Sequence, residues 1–369
     1  MKSCTAAVAR GANTAFTIEE LGVEGPREGE VLVRIAGVGL CHTDLVCRDQ
    51  FESFAKPAVL GHEGAGVIEA LGPGVSGLAV GDKVVLGFSS CGHCKRCAER
   101  LPSYCDHFGP LNYAGVRLED GSTAYSKGNE RVSSHFFGQS SFATLAVTRA
   151  SNVVKVPATT VPLELLGPLG CGLQTGAGAV MRSMDCAAGS TLLVFGGGPV
   201  GLAAVMAGAI RKCATIILVE PIEARRRIAL EIGATHVIDP AAGNLAEAIR
   251  AILPQGVEFA LDTTGNVTVI EAGLASLAAH GMIGLVGVPK DLTASINVNI
   301  LALMTPGLRI IGIIEGDSKP QDFIPELLAH HAAGRFPFDR LVRTYPLAQI
   351  NEAITAQARG ECIKAVLLP

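Results

Sequence analysis

Two patterns of apolar residues divide the chain. Between residues 30 and 88, short runs rich in valine, isoleucine and leucine alternate with glycine-rich turns, as in VLVRIAGVGL, GAGVIEAL and DKVVLGF. Apolar runs of this length, bounded by turn residues, predict β-strands joined by tight loops. Helical periodicity is sparse in this stretch. The first part of the chain is therefore predicted to be a β-rich domain.

After about Gly172 the pattern changes to a regular alternation of strand and helix. The strand segments are TLLVF, TIILVE, HVID, FALDTTG and MIGLVGV, and helices are predicted at residues 200–210, 223–232 and 245–252. Such alternation predicts βαβ units and a parallel sheet covered on both faces. The alternation ends near Glu315. We therefore expect a β-rich domain at residues 1–172, a doubly wound α/β domain at 173–314, and a segment at 315–369 that returns to the first domain.

Composition supports two large, compact domains. The 369 residues are 49% hydrophobic and only 17% charged, with a mean hydropathy of +0.38. One core rarely grows beyond about 300 residues, and a chain this apolar shows little sign of disorder. The net charge of −4 and the lack of a long basic run argue against nucleic-acid binding.

A membrane span and a secretion signal are both disfavoured. The uncharged stretch 191–210 is long enough to cross a bilayer, but Gly196, Gly197, Gly198 and Pro199 interrupt it. The N-terminus lacks an apolar segment followed by a cleavage site. We expect a cytoplasmic protein with no membrane partner. Eleven cysteines in such a chain indicate metal binding or catalysis rather than disulfides.

Four of these cysteines follow one another closely in the segment GFSSCGHCKRCAERLPSYC. Four thiolates at such short spacing can surround one tetrahedral zinc ion, and a site closed in this way has a structural role. An iron-sulfur cluster is the chemical alternative, although ferredoxin-type runs place the fourth cysteine closer, before a proline. The predicted structural zinc ligands are Cys91, Cys94, Cys97 and Cys105.

A second set of candidate ligands lies in three glycine-flanked loops. Cys41 follows a predicted strand, His62 stands in the turn Gly-His-Glu, and Cys171 opens the α/β region. Each residue alone is a weak signal, but together they offer two thiolates and one imidazole, which leaves one position of a zinc ion open to water or substrate. Asp44 is expected to orient the His62 ring, and Glu63 to approach the metal or tune its field; ordinary turn and surface carboxylates are the alternative for both.

A dinucleotide site is predicted where TLLVF ends and the next helix begins. Gly196, Gly198 and Gly201 form the G-x-G-x-x-G pattern in that context, where the backbone can approach a pyrophosphate at a helix N-terminus. Glu220 ends the following strand, where a carboxylate binds the ribose 2′-hydroxyl and repels a 2′-phosphate. NAD is therefore favoured over NADP, with Arg225 as a residue that could instead hold such a phosphate.

Taken together, these motifs resemble those of the medium-chain zinc-dependent alcohol dehydrogenases over essentially the whole chain. The segments GLCHTDLVCRD, FFGQSSFATLAV and ELLGPLGCGLQTGAGA are most similar to those of aryl alcohol dehydrogenases and of enzymes acting on allylic terpene alcohols such as geraniol. The resemblance implies a GroES-like catalytic domain and a Rossmann domain, with substrate in the cleft between them. It also implies two zinc ions per chain, NAD as cofactor, and a primary alcohol as substrate.

The resemblance assigns further residues. It implies a proton-relay hydroxyl at Thr43, nicotinamide contacts at Thr175 and Val200, and pyrophosphate contacts at His42 and Lys364. Many relatives carry a histidine three residues after the relay hydroxyl, but here that position is Val46. The proton is therefore expected to leave through His42, water or cofactor hydroxyls.

The resemblance also places residues around the alcohol. Gly87 stands where enzymes for small alcohols often have a bulky aromatic, and Phe136 and Phe137 match positions lining an outer channel, so a large apolar pocket is expected. The alternative is that Gly87 only serves a turn. We expect a homodimer or homotetramer. Rival functions are a dehydrogenase for polyols or glutathione-linked formaldehyde, a metal-free quinone reductase of the same fold, and, from another class, a zinc-binding regulatory module.

Overall fold

The computed structural model describes residues 1–51 and 54–369. Contacts divide the chain into two compact units. The first unit consists of Met1–Cys171, Lys319–Ala329 and Asp339–Pro369, and the second consists of Gly172–Ser318 and His330–Phe338. The predicted C-terminal segment 315–369 therefore does not return to the first unit as one piece. Hydrogen bonds from Gln174 to Glu315 and from Ser318 to Gln174 hold its beginning to the second unit.

The first unit is built on two mainly antiparallel sheets. One sheet has the order β4-β1-β2-β7-β8, and the other runs β10-β6-β5-β3-β18-β17, with β9 also paired to β3. Val, Ile, Leu and Ala dominate the inward positions of these strands, as half-buried sheet faces require. The strands are β1 (Lys2–Ala9), β2 (Thr17–Val23), β3 (Glu30–Gly39), β4 (Ala58–Val59), β5 (Gly64–Leu71), β6 (Lys83–Leu86), β7 (Tyr125–Lys127), β8 (Glu130–Val132), β9 (Leu145–Arg149), β10 (Val153–Lys155), β17 (Val342–Pro346) and β18 (Lys364–Leu368).

The second unit contains one six-stranded, wholly parallel sheet. Its order is β13-β12-β11-β14-β15-β16, in which the sequence order reverses beside β11. Ligands of doubly wound folds bind at the carboxyl ends of strands at such a reversal. The strands are β11 (Thr191–Phe195), β12 (Thr215–Val219), β13 (His236–Ile238), β14 (Val257–Asp262), β15 (Leu277–Leu285) and β16 (Arg309–Gly312). The predicted fold class, a β-rich domain plus a doubly wound parallel-sheet domain, is confirmed.

The three helices predicted in the second unit lie where the apolar pattern places them, each within one residue at either end, and the unit contains further helices that were not predicted. This agreement follows from the strong strand-to-helix alternation, which leaves little freedom in where each helix begins. The chain's helices are α1 (His42–Gln50), α2 (Lys95–Ala98), α3 (Phe108–Tyr113), α4 (Gly172–Gly178), α5 (Pro199–Ile210), α6 (Glu223–Glu231), α7 (Leu245–Ile252), α8 (Val267–Ala275), α9 (Ile300–Met304), α10 (Pro320–Ala332) and α11 (Ile350–Ala358). Within residues 1–51 and 54–369, every helix is too short or too polar to cross a bilayer.

Candidate active site

The four-cysteine segment closes on itself in the first unit. Sγ of Cys94 lies 3.5 Å from Sγ of Cys97 and 3.9 Å from Sγ of Cys105, and Sγ of Cys91 lies 3.9 Å from Sγ of Cys97. Four sulfurs bound at about 2.3 Å to one tetrahedral zinc would be about 3.8 Å apart. The observed spacing therefore fits a closed, four-thiolate metal site.

Backbone N–H groups point at these sulfurs. Cys91 donates to Sγ of Cys105 at 3.2 Å, and Cys94 donates to Sγ of Cys91 at 3.3 Å. The backbone N–H of Asp106, followed by that of Cys97, lowers the pKa of the Cys94 thiol to about 6. Donors of this kind stabilise the thiolate form, which is the form that binds metal.

The second cluster gathers residues far apart in the sequence. Cys41 lies just past the end of β3, His62 precedes β5, and Cys171 follows a 3₁₀ turn at Gly167–Gly170. Ligand atoms of Cys41, His62, Glu63 and Cys171 lie within 4.8 Å of one another. The fold of the first unit thus brings all three predicted catalytic ligands, and the neighbouring Glu63, into one group.

Asp44 ties this cluster together from the first turn of α1. Its Oδ1 lies 2.9 Å from Nδ1 of His62 and accepts from the N–H of Gly61, while its Oδ2 accepts from the N–H of Cys41 at 2.9 Å. Because Nδ1 is engaged, Nε2 is the nitrogen left for a metal. Nε2 is buried and has no hydrogen-bond partner in the described part of the chain, as expected of a ligating nitrogen.

The titratable groups of the cluster shift one another's pKa values. A hydrogen bond from Cys171 holds the pKa of Cys41 well below its usual range, against burial and with the help of His62 and Lys364. Burial lowers the pKa of His62, but Asp44 and Cys41 outweigh burial and raise it well above its ordinary value. A low thiol pKa favours the thiolate form, which is the form of cysteine that binds metal.

Glu63 and Lys364 form a buried ion pair beside the cluster. Nζ of Lys364 lies 2.5 Å from Oε2 of Glu63 and donates to the carbonyl of Leu40 at 2.9 Å. Burial raises the pKa of Glu63, and Lys364 opposes that effect. The pyrophosphate contact predicted for Lys364 therefore depends on its third N–H or on a change of rotamer.

Thr43 lies beside the cluster of Cys41, His62 and Cys171. Val46 cannot carry a proton as the histidine found at this position in many relatives would. Oγ1 of Thr43 lies 3.6 Å from Sγ of Cys41, so the predicted relay hydroxyl adjoins a candidate ligand. Val46, one turn along α1, is buried and has no titratable group. His42 is exposed on the same helix.

The two phenylalanines predicted to line a channel pack around His62. Phe137 stacks on the imidazole with 4.5 Å between ring centroids, and Phe136 meets it edge-on at 5.3 Å. Phe136 is 0% exposed and Phe137 only 4%. The ring of Phe136 is also in contact with Phe54, Tyr113 and Phe137. That Phe136 and Phe137 line a substrate channel stays a prediction.

Gly87 is also buried, with its backbone N–H bonded to Asn152. A Cβ atom at this position would lie 3.2 Å from Cγ of Pro320, at the start of α10. A larger side chain at residue 87 would therefore press first on Pro320.

The glycine pattern of the second unit joins β11 to α5. Gly196 has φ of +96°, and a Cβ atom at Gly201 would come within 1.8 Å of the Gly196 carbonyl oxygen. Nothing lies within 4 Å of a Cβ built at Gly198, which is the N-cap of α5, with Pro199 as the first helical residue. The turn is tight on its protein side and open at the helix N-terminus, as a pyrophosphate site requires.

Glu220 lies beside this turn at the end of β12. Its Oε2 accepts from the N–H of Gly197 at 2.5 Å, and its Oε1 accepts from Ile222 at 2.8 Å. Arg225 is near in sequence, and its Nε is buried without a hydrogen-bond partner in the described residues. Thr175 and Val200 belong to neighbouring helices of the same unit, since a Cβ atom at Gly176 would lie 1.9 Å from the carbonyl oxygen of Val200.

Gln139 is a residue of the site that sequence reasoning missed. It is fully buried and bonds to both sides of the His62 segment. The only sequence signal was its place in the GQSS turn, where polar residues ordinarily face solvent.

Comparison with known proteins identifies relatives of the whole chain. The family model described as the alcohol dehydrogenase GroES-like domain matches residues 27–158, and that of the zinc-binding dehydrogenase matches residues 199–332. Geraniol dehydrogenase of Castellaniella defragrans is 47% identical over 367 residues, covering 99% of this chain and 98% of the relative.

Two crystal structures are similar throughout. An alcohol dehydrogenase zinc-binding domain protein of Burkholderia ambifaria is 49% identical with a TM-score of 0.96, covering 100% of this chain and 99% of that one. Benzyl alcohol dehydrogenase of Acinetobacter calcoaceticus is 40% identical with a TM-score of 0.95, again covering 100% and 99%.

Proposed function

The chain belongs to the zinc-dependent medium-chain alcohol dehydrogenases, and from this premise we propose that it oxidises an aromatic or allylic primary alcohol to its aldehyde, reversibly, with hydride transfer to NAD. The observation that carries the proposal is the cluster of Cys41, His62 and Cys171, whose ligand atoms lie within 4.8 Å of one another. The substrate class is supported by the geraniol and benzyl alcohol dehydrogenases named above.

Both metal sites fit zinc by the chemistry of their donors. Cys41, His62 and Cys171 would hold a catalytic ion, because two thiolates and an imidazole leave one position open. The four cysteines from Cys91 to Cys105 would hold a structural ion, because their donor set is closed. Two zinc ions per chain are therefore proposed.

The chain's own residues supply proton handling and orientation. A zinc ion at the first cluster would act as a Lewis acid and lower the pKa of an alcohol hydroxyl. Thr43, whose Oγ1 lies near Sγ of Cys41, would accept the hydroxyl proton, and Asp44 would accept from Nδ1 of His62 and so leave Nε2 for the ion. Since Val46 cannot carry the proton further, exposed His42 and water take over that step.

NAD is the proposed hydride acceptor. The turn at Gly196, Gly198 and Gly201 would receive its pyrophosphate, and Glu220 would bind the adenosine ribose. His42, Thr175, Val200 and Lys364 are proposed as further contacts. Arg225 is the residue through which NADP would gain affinity if Glu220 were neutralised.

Chemistry supports the proposed substrate class independently of the similarity to known relatives. An aryl or allylic aldehyde is conjugated, which favours the oxidation of these alcohols over that of ethanol. An apolar pocket also gains about 25 cal/mol for each Å² of ligand surface that it buries, so larger apolar alcohols bind better. Gly87, lacking a side chain, is proposed to leave room for them.

The test is a comparison of kcat/KM for benzyl alcohol, geraniol and ethanol, with NAD and with NADP, on protein whose metal content is measured. We expect two zinc ions, NAD preference, and benzyl alcohol or geraniol ahead of ethanol by at least tenfold. Ethanol equal to the larger alcohols would contradict the substrate proposal. Preference for a polyol or for the glutathione adduct of formaldehyde would replace it.

We also propose a role for each unit, an oligomeric state and a cellular location. The first unit is the GroES-like catalytic domain and the second is the Rossmann NAD-binding domain. A homodimer or homotetramer is supported by exposed apolar residues beside the edge strand β16, since Ile300 is 79% exposed and Met304 67%. A cytoplasmic location agrees with the eleven cysteines, none of which is in a disulfide. Sedimentation of an Ile300→Glu variant against the unmodified protein tests the assembly.

A further inference from the structure

We infer that Gln139 is a positioning residue for the metal cluster of Cys41, His62 and Cys171, acting through the backbone on either side of Glu63, the residue that follows His62. The inference rests on the proposed function, because it concerns the metal that this cluster would hold. Gln139 is named in no role by the family motifs, yet its side chain is 0% exposed.

Every hydrogen-bonding position of the Gln139 amide is used. Nε2 donates to the carbonyl of His62 at 2.9 Å and to the carbonyl of Gly87 at 3.2 Å. Oε1 accepts from the N–H of Gly64 at 3.1 Å and from the hydroxyl of Ser141 at 2.9 Å. A primary amide has two donors and an acceptor with two lone pairs, so nothing is left unpaired. A buried polar group that is satisfied this fully fixes the spacing of the segments it joins.

The bonds to His62 and Gly64 bracket Glu63. Gln139 therefore holds the backbone on both sides of that residue, and Glu63 in turn binds Lys364. Asp44 fixes the ring of His62, but it does not fix how far the ring stands from the two thiols. The Gln139 clamp sets that distance, because it holds the backbone from which the ring projects.

The turn that carries Gln139 is held in an unfavourable backbone conformation. Residues with left-handed φ are His135 (+60°), Phe137 (+48°), Gly138 (+67°) and Ser140 (+53°). Residues with a Cβ atom keep such angles only where their surroundings enforce them, and such clusters occur at functional sites. The result here is that Phe136, Phe137 and Gln139 all reach the His62 segment from one short turn.

The clamp also connects the cluster to the four-cysteine segment. The backbone N–H of Gly87 donates to the carbonyl of Asn152, whose Nδ2 donates to Oγ of Ser89 at 2.7 Å. Asn112 binds both the N–H and the carbonyl of Ser89. Ser89 lies two residues before Cys91, so Gln139 is where this buried network meets the His62 segment.

The test uses the holoenzyme with cobalt exchanged into the cluster, because cobalt d–d and thiolate charge-transfer bands report ligand geometry directly. Gln139→Met keeps the length of the side chain and removes all four bonds. Gln139→Glu keeps the shape and the acceptor side but turns a carboxylate towards the carbonyls of His62 and Gly87. In both variants we expect shifted cobalt bands, at least tenfold faster removal of the cluster metal by a chelator, and a fall in kcat greater than the rise in KM.

Asn351→Leu is the matched control. The Asn351 amide clamps the N–H and carbonyl of Phe16, at 2.9 Å each, and so holds backbone that belongs to no candidate ligand. This variant should lose a comparable amount of thermal stability, with cobalt bands and metal release as in the unmodified enzyme. Should Gln139→Met fail to fold, Gln139→Glu carries the test alone.

Unchanged cobalt bands and metal release in the Gln139 variants, with only a lower Tm, would overturn the inference. That result differs from a failure of the proposed function, in which the unmodified enzyme would itself hold no metal at the cluster or oxidise no alcohol.

Discussion

Asp44 and His62 lie 18 residues apart in the sequence, yet their side chains meet at 2.9 Å and are both fully buried. The same carboxylate accepts from the backbone of Cys41. One side chain from the first turn of α1 thus orients two candidate metal ligands from separate loops.

Asp44→Asn should weaken metal binding at the cluster. An amide keeps the size of the carboxylate but lacks its charge and one of its two acceptor oxygens. Partners of metal ligands typically contribute 10- to 100-fold in metal affinity or activity, roughly the loss expected here. Chelator competition measures it. Asp49→Asn is the control, because Asp49 pairs with Arg48 on the same helix; an equal loss in both variants would remove the role given to Asp44.

The two metal sites should fail in different ways. Cys171→Ser should abolish turnover and leave a folded protein with one zinc ion, because the four-cysteine site stays intact. Cys97→Ser should lower solubility and thermal stability, because a closed thiolate site stabilises the segment around it. Metal analysis and thermal unfolding of both variants make the comparison. If Cys97→Ser keeps full stability in the presence of a chelator, the structural zinc assignment is wrong.

Thr43→Ala should cripple turnover, whereas Thr43→Ser should be tolerated. The reason is that the substrate proton needs a hydroxyl within hydrogen-bond reach, and Oγ1 of Thr43 adjoins Cys41. Steady-state kcat and KM, together with the pH profile, report the effect. Val46→His should change the pH dependence more than the affinity for NAD. An active Thr43→Ala enzyme would rule out this relay.

Glu220→Ala should weaken NAD binding roughly ten- to a hundredfold, since hydrogen bonds to a charged group contribute about 1.5 to 3 kcal/mol. NADP should gain relative to NAD. Fluorescence titration with both cofactors gives the two dissociation constants. Glu223→Ala is the control, because Glu223 is exposed at the start of α6. Equal use of NAD and NADP by the unmodified enzyme would refute the premise.

Glu30 should make the protein sensitive to acid. Burial raises its pKa, but the neighbouring ring of His135 and the guanidinium of Arg117, which donates to both carboxylate oxygens, prevail and lower it from 4.5 to about 2. Because the folded-state pKa is the lower one, the stabilisation is present above pH 4.5 and is lost as the pH falls towards 2. The difference corresponds to roughly 3 kcal/mol.

Urea unfolding of Glu30→Gln at pH 7 should give a lower free energy of unfolding than that of the unmodified protein. Between pH 4.5 and 2, the free energy of unfolding should fall less steeply in the variant. Glu119→Gln serves for comparison, since the Glu119 side chain is exposed and its ion pair with Arg149 contributes little. A Glu30→Gln protein with the same acid profile as the unmodified one would show that Glu30 does not control it.

Sequence reasoning was strongest where spacing alone constrains geometry. The strand-to-helix alternation after Gly172 predicted the bounds of three helices of the second unit, α5, α6 and α7. The four cysteines from Cys91 to Cys105 are too close in sequence to lie far apart in space. It was weaker where tertiary packing decides. The contact of the Phe136 ring with His62 could not be predicted from the sequence, because it depends on the left-handed turn at His135 and Phe137. The GQSS turn does not reveal the role of Gln139, because the carbonyls that Gln139 binds belong to His62 and Gly87, far along the chain.

The left-handed backbone at His135, Phe137 and Ser140 has a practical consequence for altering this enzyme by directed evolution. β-Branched residues are especially unfavourable at such angles, while glycine and asparagine tolerate them. Random libraries at these positions will lose many members to misfolding before substrate preference is ever sampled. Codon sets weighted towards glycine and asparagine at positions 135 and 140 would give a larger fraction of folded variants. Full randomisation is more productive at residues with ordinary backbone angles.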